Sequence, residues 1–405
     1  MTESTSSAAL DELPLGFQVA AVACGIKQDP AQPVDLALII SDAPCVAAGV
    51  YTQNQIVAAP VLWDRNITPT NAARAVVINS GNANACTGDQ GTQDTQRMAE
   101  LVAASIAAQP GEVLVLSTGI IGEFLPMEKI ATGIETASGT LGRDRKAIDL
   151  TARGMMTTDR VPKIAQRQVS GSDGPIHITG FAKGAGMIGP NMATLLCVVL
   201  TDAVIDPSVA QTLLKQIADR TFNCISVEGH TSTNDTVLLL SSGRAALEES
   251  SSEFIEFSQQ LEATFRDLAR QIPADGEGAT HLISICIRGT EDDAKAKQLA
   301  QTIANSPLVK TAMTGADPNW GRIISAAGYS GINFDPADLI LSINSQTVYT
   351  DGKPTGFDAT ALSQSIANSF EVIVELRIGD GPGSCDFWTS DLTHDYITIN
   401  ADYHT

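Results

Sequence analysis

Aromatic residues are scarce in this chain, at 5% of 405 residues. A core of the size that length allows must therefore be mostly aliphatic. Basic residues are few as well: 25 Lys and Arg stand against 46 Asp and Glu, for a net charge of −21. A surface of that sign repels phosphate backbones and argues against nucleic-acid binding. A small anionic substrate would need its own local cation. The seven cysteines, Cys24, Cys45, Cys86, Cys197, Cys224, Cys286 and Cys385, contain no CxxC pair and are odd in number. That fits a reducing compartment better than a disulfide framework. No apolar run approaches membrane-spanning length. The opening MTESTSSAALDELPLGF is polar and acidic, without the basic and apolar regions of a secretory signal. The expectation is a cytoplasmic protein with neither nucleic acid nor membrane as partner.

What is present is a globular composition, 43% hydrophobic and 18% charged, long enough for two or three domains or one intertwined unit. Apolar β-branched runs predict strands at 74–79, 112–117, 194–200, 236–240, 282–287, 339–343, 372–378 and 396–400. Helical periodicity predicts helices at 95–108, 126–137, 207–220, 253–271, 294–305 and 359–368. Asp206-Pro207 supplies a cap followed by proline at the first helical position. Strands and helices mixed throughout mean an α/β or α+β architecture, and their irregular spacing argues against a simple βα repeat.

The most informative stretch is GFAKGAGMIGPNMATLLCVVLTDA at 180–203. Its Gly184–Gly189 portion spells GxGxxG, but a second β-branched run follows where a dinucleotide site needs a helix to begin. A different chemistry is compatible with the same residues. A peptide bond held in a strained turn ahead of Thr194 could be attacked by that residue's own Oγ, giving an ester that water releases. The new α-amine, with an ordinary pKa of about 7.7–8.0, could then serve as general base for the adjacent hydroxyl. On spacing alone Thr194 reads rather as an ordinary strand residue, since Thr is common in strands. Downstream, Glu228, His230 and Asp235 form a dense polar cluster whose spacing matches no standard metal-ligand pattern. It reads as a turn whose side chains bond their own backbone.

The segment KGAGMIGPNMATL (183–195) resembles the cleavage segment of the ornithine acetyltransferase family, the bifunctional arginine-biosynthesis proteins. Seven further strings resemble that family in the same order. They are NSGNANACTG (79–88), STGIIGEFLP (117–126), MTTDRVPK (156–163), SVEGHTSTNDT (226–236), DGEGAT (275–280), TGADPNWGR (314–322) and DYITINADYHT (395–405). The resemblance runs from about residue 12 to the last residue.

It implies two β-sheets between helix layers, of the N-terminal-nucleophile and self-cleaving aminopeptidase-like type. It also implies self-cleavage between Ala193 and Thr194 into an α chain, 1–193, and a β chain, 194–405. Thr194 would take acetyl from N2-acetyl-L-ornithine and pass it to L-glutamate. By the same resemblance, Thr118 and Gly119 form the oxyanion hole. Thr157 (with Thr158 as its neighbour in register), Lys183, Glu277, Asn400 and the terminal Thr405 bind substrate. His281 would modify the charge around Glu277, and the strand-like 396–400 would tie down the chain end. No metal and no organic cofactor are expected. Some family members also accept acetyl-CoA as donor, and the expected assembly has two α and two β chains. The rival readings are a related self-cleaving aminopeptidase or amidohydrolase, and an uncleaved binding protein.

Overall fold

The apolar runs do assemble into sheets. The computed structural model describes residues 12–27, 30–189 and 195–402, and its strands form two mixed sheets. Eight strands make the first: β1 (Phe17–Val22), β2 (Leu36–Tyr51), β3 (Thr70–Asn82), β4 (Val113–Ile120), β5 (Lys163–Val169), β6 (Ile176–Lys183), β7 (Leu196–Ala203) and, after the short β8 (Ile225–Ser226), β9 (Thr236–Ala245). The second takes β8 together with β10 (Leu282–Thr290), β11 (Ile340–Ile343), β12 (Gln346–Thr350), β13 (Lys353–Pro354), β14 (Glu371–Arg377) and β15 (Gly383–Ser390).

The strand order of the first sheet is β4-β3-β2-β9-β7-β6-β5, with β1 added on β2. β7 and β9 are parallel neighbours at its centre, flanked by antiparallel β6 and β2. All eight residues of β7 are buried. That explains a continuous apolar run in place of the alternation of a half-exposed strand. Each of its fully buried Val and Leu side chains contributes about 1.5–3 kcal/mol relative to exposure.

The helices are α1 (Ala59–Arg65), α2 (Gly88–Ser105), α3 (Met127–Ser138), α4 (Arg145–Met155), α5 (Pro207–Arg220), α6 (Ser252–Ala274), α7 (Asp293–Ala304), α8 (Pro307–Thr314), α9 (Trp320–Gly328), α10 (Ala359–Asn368) and α11 (His394–Asp402). Asp206 caps α5 by accepting from Ser208 N at 2.8 Å, and Pro207 opens it. Ser251 caps α6 through Phe254 N at 3.1 Å. The α6 stripe Phe257, Leu261, Phe265, Leu268 and Ile272 is wholly buried at helical spacing. This helix touches strands of both sheets, and one aliphatic core draws on both sheets and on α5, α6 and α7. The layered α/β architecture is present. Among the described residues no helix is long and apolar enough to cross a membrane.

One expectation fails. Residues 396–400 lie in α11, a helix that buries none of its side chains. Strand propensity largely reflects packing on a half-buried pleated surface, and among the described residues no strand pairs with this segment. Ile397 is 61% exposed. A hydroxyl cap holds the helix start instead: Thr393 Oγ1 accepts from Tyr396 N at 3.3 Å and donates to Gly278 O at 2.7 Å.

Candidate active site

The C-terminal ends of β4 and β6 open on one side of the first sheet, where an open cleft holds about 610 Å³ of empty space. Thr118, Gly119, Thr157, Lys183, Glu277 and Asn400 all line it. The structure thus brings together six expected site residues drawn from five separate segments. Thr158 lines the cleft beside Thr157. Ala193, Thr194 and Thr405 lie outside the described residues. The element order also disposes of the GxGxxG reading, since β6 ends at Lys183, just ahead of the glycine turn, and the next described element is strand β7, not a helix.

Backbone geometry makes the walls. Gly119 has φ +134, and a Cβ there would stand 2.3 Å from the Gly81 carbonyl carbon, so no side chain fits. Gly186 does the same for Glu277, whose carboxylate would lie 2.4 Å from any Cβ at that position. The Glu277 backbone N–H donates to Ala185 O at 2.9 Å, which ties the glycine turn to the end of α6.

Lys183 is 2% exposed and its Nζ donates to Thr118 Oγ1 at 3.2 Å. Burial pulls its amine below the ordinary lysine value, against the opposing pull of Asp159. A hydroxyl that accepts from an ammonium is a stronger donor in turn, so Thr118 is well prepared to meet a developing oxyanion. Asn400 Nδ2 donates to Glu277 Oε2 at 2.8 Å and to Tyr396 O at 3.0 Å. The last turn of α11 thereby reaches the cleft through Asn400, although as a helix and not the strand that was expected. His281 is bonded to Asp391. Its Nδ1 pairs with Asp391 Oδ2 at 3.0 Å, because Asp391 also gathers the N–H groups of Thr280 and His281.

Three buried charges hold this scaffold together. Lys163 Nζ lies 2.7 Å from Asp159 Oδ1 and 2.8 Å from Asp275 Oδ2. Asp159 also accepts from Gly184 N (2.6 Å) and Thr157 N (3.0 Å), and Asp275 accepts from Arg160 N (3.0 Å). Burial alone would raise Asp159. Lys163 and Lys183 outweigh it and hold the carboxyl below the ordinary range. Asp159 and Asp275 likewise outweigh burial to hold Lys163 above its ordinary value.

The turn 226–236 behaves partly as expected. Asn234 N donates to Ser232 Oγ at 3.1 Å and Thr236 Oγ1 to Asn234 O at 3.0 Å, the self-bonding of a polar turn. Asn234 goes further, bonding Ala83 O (2.6 Å) and Ser117 O (2.9 Å), and so locks the turn beside β4. Sequence reasoning missed what its acids do. Asp235 is fully buried, and its Oδ1 accepts from Leu195 N at 3.1 Å while Oδ2 has no partner. Burial pushes its carboxyl up to about 7. Neither oxygen of Glu228 makes a hydrogen bond of regular geometry. Burial, reinforced by Glu277, pushes Glu228 up to about 7. Burial also brings Lys310 down to about 7; its Nζ rests on Thr389 Oγ1 at 3.0 Å and on the Ser390 carbonyl. The density of acids in SVEGHTSTNDT was the available signal. Among the described residues no group of three or more His, Cys, Asp or Glu is placed to hold a metal ion.

Comparison with known proteins follows the same lines. A family profile described as the ArgJ family matches residues 18–405. The chain is 48% identical over 397 residues to the arginine biosynthesis bifunctional protein ArgJ of Rhodopirellula baltica, covering 97% of this chain and 96% of that one. It is 45% identical over 395 residues to the protein of the same name from Geobacter sulfurreducens, covering 96% and 99%. Among solved structures, ornithine acetyltransferase of Mycobacterium tuberculosis in complex with ornithine is 40% identical. That match covers 46% of this chain and 96% of the other, with a TM-score of 0.41.

Proposed function

This chain belongs to the ArgJ family, and on that premise we propose that it moves the acetyl group of N2-acetyl-L-ornithine to L-glutamate through an acetyl ester on Thr194. It is an acyltransferase of arginine biosynthesis. The observation that carries the proposal is the shared cleft of Thr118, Gly119, Thr157, Lys183, Glu277 and Asn400.

The reaction begins with self-cleavage. Thr194 Oγ attacks the Ala193 carbonyl carbon, the peptide C–N bond breaks as its nitrogen takes a proton, and water hydrolyses the resulting ester. The α chain, 1–193, and the β chain, 194–405, result. The Asp235–Leu195 bond supports this reading, because it fixes the backbone next to the junction. The freed α-amine of Thr194 then takes the hydroxyl proton as Oγ attacks the acetyl carbon. Thr118 and the Gly119 N–H meet the oxyanion. Ornithine leaves with the proton, and the glutamate amine attacks the ester in the reverse sense. Lys183 serves the substrate carboxylate, and Glu277, held by Asn400, the ornithine side-chain amine. Thr157 and Thr405 complete the substrate contacts.

We assign acetyl-CoA as a second donor, a reading supported by the description of the relatives as bifunctional. We further assign a cytoplasmic enzyme of two α and two β chains.

Intact mass under denaturing conditions with N-terminal sequencing tests the first step, and transfer from acetylornithine to glutamate tests the second. Two fragments, one beginning Thr194-Leu195-Leu196, with acetylglutamate as product, are the expected result. A single uncut chain in active protein would overturn the mechanism. Release of free acetate without acetylglutamate would make the enzyme a hydrolase.

A further inference from the structure

A second cavity, with about 750 Å³ of empty space, has Cys224 and Cys385 on its wall. None of its lining residues belongs to the cleft described above. The two Sγ atoms are 3.9 Å apart, with the Cys385 thiol donating to Cys224 sulfur. The meeting joins residues 161 positions apart, and backbone pairing enforces it. Cys224 immediately precedes β8, Cys385 lies in β15, and these strands pair in parallel, Ile225 opposite Trp388 and Ser226 opposite Thr389. Bonding requires these contacting sulfurs to close to the S–S length of about 2.05 Å.

The surroundings divide the work between the two sulfurs. Lys297, which lines the same cavity, favours a thiolate at Cys224, while Asp219 and Asp386 on that wall oppose it. The hydrogen bond from Cys385 holds the Cys224 thiol below its ordinary value in spite of burial. The same bond, with burial, pushes the donor Cys385 up. Cys385 is half-buried and reachable from the cavity.

We propose that Cys224 and Cys385 form a dithiol–disulfide pair, a modification site for low-molecular-weight disulfides. The Cys224 thiolate attacks one sulfur of the small disulfide and expels the other as a thiolate, leaving a mixed disulfide. Cys385 then gives up its proton, and its sulfur attacks Cys224 Sγ and expels the second small thiolate. The two cysteines are oxidised by two electrons and the small disulfide is reduced to two thiols. The new bond clamps β8 to β15. β8 leads into the turn that carries Glu228 and Asp235, and β15 ends on the residues that hold Lys310, so the clamp lies behind one wall of the cleft.

The test uses the full-length protein, reduced, then treated with oxidised glutathione, alkylated, and digested with trypsin without reduction. The expected species joins fragments 221–244 and 378–405, which carry Cys224 and Cys385. Two thiols per chain escape alkylation, and the thermal midpoint rises, since a bond closing so long a loop restricts the unfolded chain. Cys385→Ser removes the linked species and the thermal shift together. The proposal is overturned if both cysteines remain fully alkylatable, if glutathione stays on either of them without closure, or if oxidation is confined to the exposed Cys86.

Discussion

Lys163 sits between Asp159 and Asp275 with three acceptors around its ammonium. Asp235 and Glu228, whose oxygens are just as hidden from water, have three carboxylate oxygens among them without a hydrogen bond of regular geometry. The two groups serve the same cleft. The paired group fixes backbone, holding the N–H groups of Thr157, Arg160 and Gly184 through its two carboxylates. The unpaired group holds protons whose binding changes near neutrality. Burial of a carboxylate therefore does not by itself mark function. The partner it finds decides between scaffold and titrating group.

Removing a partner should break this contrast most severely. Lys163→Met leaves Asp159 and Asp275 buried without their cation and should cost about 3–5 kcal/mol of stability, read by urea denaturation. A loss no larger than that of an average surface substitution would mean that the cluster is not the scaffold claimed here. Asp235→Asn should act in the opposite way. We expect the protonated Asp235 carboxyl, bonded to Leu195 N beside the junction, to act as an acid–base group there: the fold survives in Asp235→Asn, because the amide oxygen can still accept from Leu195 N, while cutting at Ala193–Thr194 slows by about 10²-fold. Intact mass against time measures it, and unchanged cutting would remove Asp235 from the chemistry.

Dependence on pH sharpens the comparison. Glu228 and Asp235 stay protonated in the folded state up to about 7, whereas unfolded carboxyls ionise near 4. The folded state binds more protons between those values, so their contribution to stability falls as pH rises from about 4 to about 7. Lys310 titrates at about 7 when folded and about 10.4 when unfolded, so its contribution rises with pH between those values. Asp159, held low by its pairing, adds stability above the ordinary carboxylate range that is lost as pH falls through it. Glu228→Gln should remove roughly half of the decline between pH 5 and 7, measured by thermal midpoints. The smallest effect expected is from Asn400→Ala. It removes the side-chain bonds to Glu277 and to Tyr396 O at an exposed helix and should raise KM for acetylornithine a few-fold, on the order of 1 kcal/mol. A change in kcat without one in KM would place Asn400 in the chemical step instead.

Much of this was legible in the sequence. Asp206-Pro207 and Ser251 announce α5 and α6 because capping is a local matter. The buried strands announce themselves through runs that no helix or loop would carry. β2 was not among the expected strands: Asp42-Ala43-Pro44 interrupts its apolar run, and the strand continues through it with its register against β3 shifted between Ile40 and Cys45, where proline is tolerated as at a bulge. α11 was misread because β-branched residues speak only weakly when nothing packs on them. Six site residues could be listed from family strings, but their acids' partners could not. The Lys163–Asp275 pair spans 112 positions and the Asp235–Leu195 bond spans 40, and no local rule reaches that far.

The order of strands in the first sheet carries a further consequence. β7 and β9, from beyond the proposed cut, lie between β2 and β6, from before it. Neither piece can complete its ladder of hydrogen bonds alone, so the sheet has to be assembled while the chain is still one covalent thread. After the cut, a molecule that melts has no tether to guide it home. Its pieces diffuse apart, and recovery becomes a chance encounter of two sticky, half-made sheets, slower with every dilution and in competition with aggregation. If the proposed cut is made, the cleaved enzyme would refold far less readily than its uncut precursor.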